Sequence, residues 1–136
     1  MWKFYAILSA LFAALTAIFA KIGIENINSN LATAIRTVVI LLVTFGIVYF
    51  TGVYNQISNI SHRSWIFLIL SGIATGLSWL FYFKAIQLGN VSKVAPIDKF
   101  SIVITMLLAC IFLKEALTWK MILGGILITL GTIFLL

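Results

Sequence analysis

The chain has very few of the residues on which most catalytic and metal sites depend. Its 136 residues include one cysteine, one histidine and one proline, and only 3 acidic residues stand against 9 basic ones. The lone Cys110 excludes a disulfide within the chain, and the lone His62, which we place in a hydrated loop, leaves no Cys/His cluster for a metal. Glycine-rich phosphate loops and paired carboxylates are also missing, so no cofactor and no enzyme activity are expected.

Charge is scarce, whereas apolar runs fill almost the whole chain. Hydrophobic residues make up 63% of the sequence and charged residues 9%. So few charges cannot cover the exterior of a soluble protein, and lipid is therefore the expected outer solvent. Five runs have the length of about 20 residues that a helix needs to cross a bilayer: Phe4–Ile22, Leu31–Val53, Trp65–Ile86, Val94–Leu113 and Leu117–Leu136.

These runs are continuous rather than alternating, which predicts helices and not the strands of a barrel. We therefore expect an all-α polytopic membrane protein, with residues 1–136 forming a single domain of five transmembrane helices. An odd number of spans places the two termini on opposite sides of the membrane. The net charge of +6 indicates anchoring to headgroups, since most basic residues lie at span ends, and no nucleic-acid partner is expected.

Basic residues are divided almost evenly between the two sides of the predicted bundle. The side with the N-terminus carries Lys3, Arg63, Lys114 and Lys120, and the other carries Lys21, Arg36, Lys84, Lys93 and Lys99. Subtracting Glu115 on the first side, and Glu25 and Asp98 on the second, leaves the same net charge on both. A chain with one fixed orientation shows an excess of Lys and Arg on one side. The balance predicts insertion both ways up and an antiparallel homodimer; the alternative is a weak bias that an insertion partner resolves.

Four of the runs each carry a face of small or hydroxyl-bearing residues. Such faces suit a bundle around a cavity, which we expect to be lined by Thr16, Thr37, Ser78, Ser101 and Thr105. The alternative is tight helix packing, with each hydroxyl bonded to its own backbone. The fifth run instead has glycines that permit close helix approach, and we assign Gly124, Gly125 and Gly131 to a dimer contact.

Charged residues inside the runs are costly in lipid and therefore mark functional positions. Asp98 follows Pro96 and, on the predicted bounds, lies in the first turn of its helix, where the helix dipole favours an anion. Two interpretations stay open: an acid neutralised by Arg36 or Lys99, or a charged gate beside a cavity. The surplus of basic groups on this side would suit a carboxylate or phosphate.

Several short segments occur in an order and spacing typical of one transporter family. They are Ala20-Lys-Ile-Gly23, Ala32-Thr-Ala-Ile-Arg-Thr37, Tyr82-Phe-Lys-Ala85, Ser92-Lys-Val-Ala-Pro-Ile-Asp-Lys99, Lys114-Glu-Ala-Leu-Thr118 and Gly124-Gly-Ile-Leu-Ile-Thr-Leu-Gly131. With these segments the chain resembles, over its whole length, a single EamA-type domain of the drug/metabolite transporter superfamily. The most similar members are short bacterial and archaeal proteins with one five-helix domain.

The resemblance implies that the chain is one half of an inverted-repeat transporter for small metabolites. Larger members carry two such domains in tandem, so a one-domain member has to dimerise. In each half the first four helices line the cavity and the fifth packs outside. The resemblance also implies residues that line or gate the path: Arg36, Trp79, Tyr82, Lys84, Asp98 and Lys99. Small multidrug-resistance transporters bind cations and protons at a glutamate in their first helix. No acid lies between Phe4 and Ile22 here, so cation efflux by that mechanism is not expected.

The sequence therefore predicts a secondary transporter of a small metabolite in the cell membrane of a prokaryote, working as an antiparallel homodimer by alternating access. Two alternatives have different functions: an accessory or scaffold subunit that moves no solute, and a component of a lipid-linked-sugar flippase. A pure scaffold has no use for charged and aromatic residues on converging helix faces, whereas a flippase needs an apolar groove open to lipid.

Overall fold

The computed structural model describes all 136 residues, and they form helices joined by short connections. This arrangement confirms the all-α class. The helices are α1 (Trp2–Gly23), α2 (Ser29–Phe50), a 3-10 helix (Val53–Asn59), α3 (His62–Leu88), α4 (Val91–Asp98), α5 (Ser101–Phe112) and α6 (Trp119–Leu135).

Four helical segments are long and apolar enough to cross a membrane. They are α1, α2, α3 and the segment Val91–Phe112, which contains both α4 and α5. The remaining helix, α6, has 17 residues, which is at the short end of the range of about 17–25 for a transmembrane helix. Large apolar side chains along these helices are exposed, for example Ile7, Leu42 and Phe67. Lipid is the solvent that such a surface requires.

The predicted fourth span is present as the single segment Val91–Phe112, but its α-helix is interrupted for two residues. The chain leaves the α-helix at Lys99 and Phe100 and enters α5 at Ser101. Pro96 lacks an N–H and weakens the hydrogen-bond ladder of the short α4. The N–H groups of Lys99 and Phe100 then donate to Pro96 O and Ile97 O, at 3.1 and 3.0 Å. These bonds reach back three residues rather than four, as in a 3-10 turn.

The second connection is also more ordered than the sequence indicates. Gly52 ends α2 with φ +70°, a left-handed conformation that glycine adopts without a steric cost. The 3-10 helix follows, and His62 is the exposed first residue of α3 rather than a loop residue. The Ser61 hydroxyl accepts a hydrogen bond from the Ser64 N–H at 3.1 Å, as a helix N-cap does.

The chain divides into two compact units. One, the terminal unit, comprises Met1–Ile18 and Leu88–Leu136; the other is Phe19–Gln87. In the terminal unit α6 packs against α4 and α5.

The Phe19–Gln87 unit has a small buried core where the end of α1, the start of α2 and the end of α3 meet. Its apolar members are Ala20, Ile24, Ala32, Phe83 and Ile86. Because these positions are close to helix ends, the core lies beside the connection from α1 to α2.

Two side chains attach the end of α3 to its neighbours: Lys21 of α1, and Gln87 of α3, which reaches this connection. Lys21 Nζ donates a hydrogen bond to Ile86 O at 2.6 Å. Gln87 Nε2 donates to Ile27 O at 2.8 Å and to Ile24 O at 3.2 Å. Ile86 O is among the last four carbonyls of α3, which have no partner within the helix, so the bond from Lys21 caps it. The bonds from Gln87 instead satisfy carbonyls of the connection.

Candidate functional site

The most unusual charge in the structure is Arg36 of α2. The helix begins after Asn28, whose side chain accepts a hydrogen bond from the Asn30 N–H at 2.8 Å. Arg36 is seven residues beyond Ser29, which places it about 10 Å along the helix at 1.5 Å per residue. Its Cζ lies 4.8 Å from the ring centroid of Trp79 and 4.5 Å from that of Phe83. Since these two residues are four apart on α3, they share one helix face and flank one cation.

The guanidinium of Arg36 is not fully hydrogen-bonded. Its Nη1 is buried and has no hydrogen-bond partner, although the residue as a whole is half-buried. A guanidinium carries five N–H donors and no acceptor. Aromatic rings attract the positive charge but supply no strong acceptor for these donors. Nη1 is therefore a charged donor that is buried without an acceptor.

Three of the six predicted path residues come together here. Arg36 and Trp79 are in contact, and half-buried Tyr82 lies within electrostatic range of the same guanidinium. Lys84, further along α3, is exposed. Phe83 was absent from the predicted set although it is almost fully buried. Its spacing of four residues from Trp79 is the pattern that could have identified it.

Two of the predicted cavity hydroxyls follow the alternative interpretation and bond to their own helix. Thr37 donates to Thr33 O and Thr105 donates to Ser101 O, both at 2.8 Å. Of the other three, Thr16 is half-buried, and Ser78 and Ser101 are exposed. Thr37 also lines an open groove of about 420 Å³ between α2 and α3, together with Asn30, Thr33, Ala34, Val38, Leu41, Gly76 and Leu80.

Asp98 lies at the end of a helix and not at its start, so the predicted stabilisation by an N-terminal dipole is wrong. It is the last residue of α4. The C-terminal end of a helix carries partial negative charge and disfavours a carboxylate. The neighbouring Lys99 compensates, with its Nζ 3.4 Å from Asp98 Oδ2. Neutralisation by Lys99 was one of the expected alternatives, whereas a pairing of Asp98 with Arg36 stays a prediction.

The glycines of α6 differ in what they face. Gly125 is buried, and a Cβ added to it would lie 3.6 Å from Met106 Cε of α5. Packing within the chain therefore accounts for Gly125, contrary to its assignment to a dimer contact. An added Cβ on Gly124 or Gly131 would meet no atom within 4 Å. The role of these two glycines in a dimer stays a prediction.

Comparison with known proteins identifies the family. The EamA-like transporter family matches the chain over residues 1–136. A Sinorhizobium protein, named an uncharacterized transporter in the cobO 3′ region, is 52% identical over 134 residues, covering 98% of this chain and 95% of that protein. An uncharacterized protein of Methanocaldococcus jannaschii is 29% identical over 135 residues, covering 95% of this chain and 91% of that protein. No solved structure matches the chain. This chain of apolar helices is a multi-pass membrane protein that belongs to the EamA-like transporter family.

Proposed function

We propose that the protein is a secondary transporter of a small metabolite, and that two copies inserted in opposite orientations form the working transporter by alternating access. The observation that carries the proposal is the interruption of the fourth membrane-spanning segment at Lys99 and Phe100. Broken helices near the substrate and ion sites are a recurring feature of secondary transporters.

The physical argument concerns what such a break requires of its surroundings. The backbone at the break stays hydrogen-bonded through bonds of the 3-10 type, so the demand on the surroundings comes from the side chains. The break here also carries the salt-bridged charges of Asp98 and Lys99, which are expensive in lipid. A pair of charges inside a membrane-spanning segment favours a cavity over a lipid-facing scaffold, which would gain nothing from it.

The antiparallel homodimer is supported by the even division of basic residues between the two sides. The two relatives match this chain over nearly their whole lengths, so each of them is also about the size of this chain. Secondary transporters commonly place their site between two inverted repeats. Two oppositely inserted copies of this chain would supply the same symmetry without a tandem duplication.

The test is counterflow in liposomes containing the purified protein and loaded with a mixture of unlabelled metabolites. Labelled amino acids, nucleosides and organic acids are offered outside, and uptake is compared with protein-free liposomes. We expect exchange of at least one class of compound. Exchange should be lost in the double variant Asp98→Asn, Lys99→Gln and kept in the matched control Lys114→Gln, Glu115→Gln, which neutralises an adjacent pair between α5 and α6.

A folded, monodisperse protein that exchanges none of these compounds would contradict the transport proposal and favour the scaffold function. Retained exchange in the Asp98→Asn, Lys99→Gln variant would show that transport does not depend on the charged pair at the helix break. Copies carrying two different affinity tags should also purify together, and failure to do so would contradict the proposed homodimer.

A further inference from the structure

We propose that Arg36 binds the anionic group of the transported solute, so that the substrates are small organic anions with a carboxylate or phosphate next to an apolar or aromatic portion. This inference rests on the proposed transport function and names the substrate class for it. The site is the cluster of Arg36, Trp79 and Phe83 in the Phe19–Gln87 unit.

The first step is the mismatch between the charge of Arg36 and its partners. The Cζ atom lies within 5 Å of two ring centroids, at 4.8 and 4.5 Å, and Nη1 has no hydrogen-bond partner. The rings replace part of the lost hydration of the cation, but the strong donors lie in the plane of the guanidinium. A buried, unpaired donor on a charged group is costly, so this position favours any acceptor that reaches it.

The second step is the shortage of carboxylates in this unit. Glu25 is the single acidic residue between Phe19 and Gln87, and it is exposed in the connection between α1 and α2. Asp98, at the break in the fourth segment, already has Lys99 as its salt-bridge partner. An anion from outside the chain is thus the acceptor that suits the unpaired Nη1 of Arg36.

The third step concerns the kind of anion. The planar fork of arginine matches the two oxygens of a carboxylate or phosphate, and such paired, charge-assisted bonds are among the strongest hydrogen bonds in proteins. The aromatic rings around the guanidinium suit an apolar or flat group attached to that anion.

The buried Nη1 also has a consequence for transport. A conformation that leaves it unpaired is disfavoured relative to one in which an anion binds it, so the solute can shift the balance between the two.

A phospholipid headgroup presents the same chemistry, so the experiment includes it. The protein is purified in dodecyl maltoside with lipid removed, and intrinsic tryptophan fluorescence is titrated with 3-phenylpropionate. Its amide, 3-phenylpropionamide, has the same shape without the charge, and dihexanoyl phosphatidylglycerol represents the headgroup. The variants are Arg36→Gln and Arg36→Lys, and the matched control is Arg63→Gln. Arg63 also lies over a ring, 5.8 Å from the centroid of Phe67, but it is exposed at the start of α3.

We expect the carboxylate to bind at least about tenfold more tightly than the amide, as a charge-assisted pair requires. Arg36→Gln should abolish this preference, and Arg63→Gln should retain it. Arg36→Lys keeps the charge but not the fork, so an intermediate affinity is expected; this variant also carries the test if Arg36→Gln does not fold. Equal binding of acid and amide, or an unchanged preference in both Arg36 variants, overturns the inference. Arg36-dependent binding of the phosphatidylglycerol alone also overturns it, since the occupant would then be a lipid.

Counterflow separates this inference from the function on which it rests. If wild type and Arg36→Gln exchange a neutral or cationic solute equally well, the transport proposal stands and the anion assignment fails. If 3-phenylpropionate binds through Arg36 but nothing crosses the membrane, the anion site stands and the transport proposal fails.

Discussion

Replacing Gln87 with leucine tests whether side-chain hydrogen bonds hold the end of α3 against the α1–α2 connection. The change removes the bonds from Nε2 to Ile24 O and Ile27 O, at 3.2 and 2.8 Å. The bond to Ile27 O is exposed, so water replaces it and little free energy is lost. The bond to Ile24 O is partly buried, and a carbonyl left unpaired there costs about 1–3 kcal/mol. We therefore expect the free energy of unfolding to fall by about 1–3 kcal/mol, almost all of it from Ile24 O.

The measurement is an unfolding titration with SDS in mixed micelles, followed by tryptophan fluorescence. Gln56→Leu is the matched control, because Gln56 is an exposed glutamine of the 3-10 helix and surface substitutions usually change stability by less than about 0.5 kcal/mol. Equal losses in the two variants would refute the reasoning, and the contacts of Gln87 would then count as surface hydrogen bonds without net stabilisation.

Three further predictions follow from the structure and the charge distribution. C-terminal reporter fusions should give signal on both sides of the membrane, and a single orientation of the wild type would contradict dual insertion. Two lysines added to the second connection should shift the population toward the orientation with that side in the cytoplasm. In the SDS titration, Gly125→Ala should be tolerated, because its Cβ would lie at an ordinary contact distance from α5. Gly125→Leu should lower the free energy of unfolding by about 1–3 kcal/mol through overpacking. Gly124→Leu should lower it less, because Gly124 faces open space. Lys99→Met should destabilise the protein more than Lys93→Met by up to about 1 kcal/mol, since it leaves Asp98 uncompensated and the pair is only partly buried; equal effects would show that the pair contributes nothing.

The helices themselves could be predicted from the sequence because lipid contact requires long apolar runs. The run Phe4–Ile22 lies inside α1, and Leu31–Val53 overlaps almost all of α2. The ends differ by two or three residues where polar residues begin a helix. Asn28 caps α2 and Ser29 is its first residue, for example, but neither is apolar.

The details of the Arg36 cluster were harder to predict, because an apolar run does not distinguish residues that face lipid from residues that face a neighbouring helix. Phe81 and Phe83 are both phenylalanines on α3, yet Phe81 is 74% exposed and Phe83 is 1% exposed. From its position at the end of the first apolar run, Lys21 is expected to anchor to headgroups. The structure shows that its ammonium instead bonds to Ile86 O on α3, a tertiary contact that no local pattern contains.

The error at Asp98 has a physical cause that bears on function. The apolar run begins at Val94, because Ser92 and Lys93 before it are polar, and a helix that started there would hold Asp98 near its start. The helix in fact begins at Val91, after Asn90, so Asp98 falls at its C-terminal end. There the helix dipole and the carboxylate have the same sign, and the charge is more costly than at a helix start. A carboxylate, its lysine partner and a break in the backbone therefore coincide at one point of a membrane-spanning segment. The two charges are costly in lipid and tolerable beside a cavity, so the corrected position strengthens the argument for a solute path at this break.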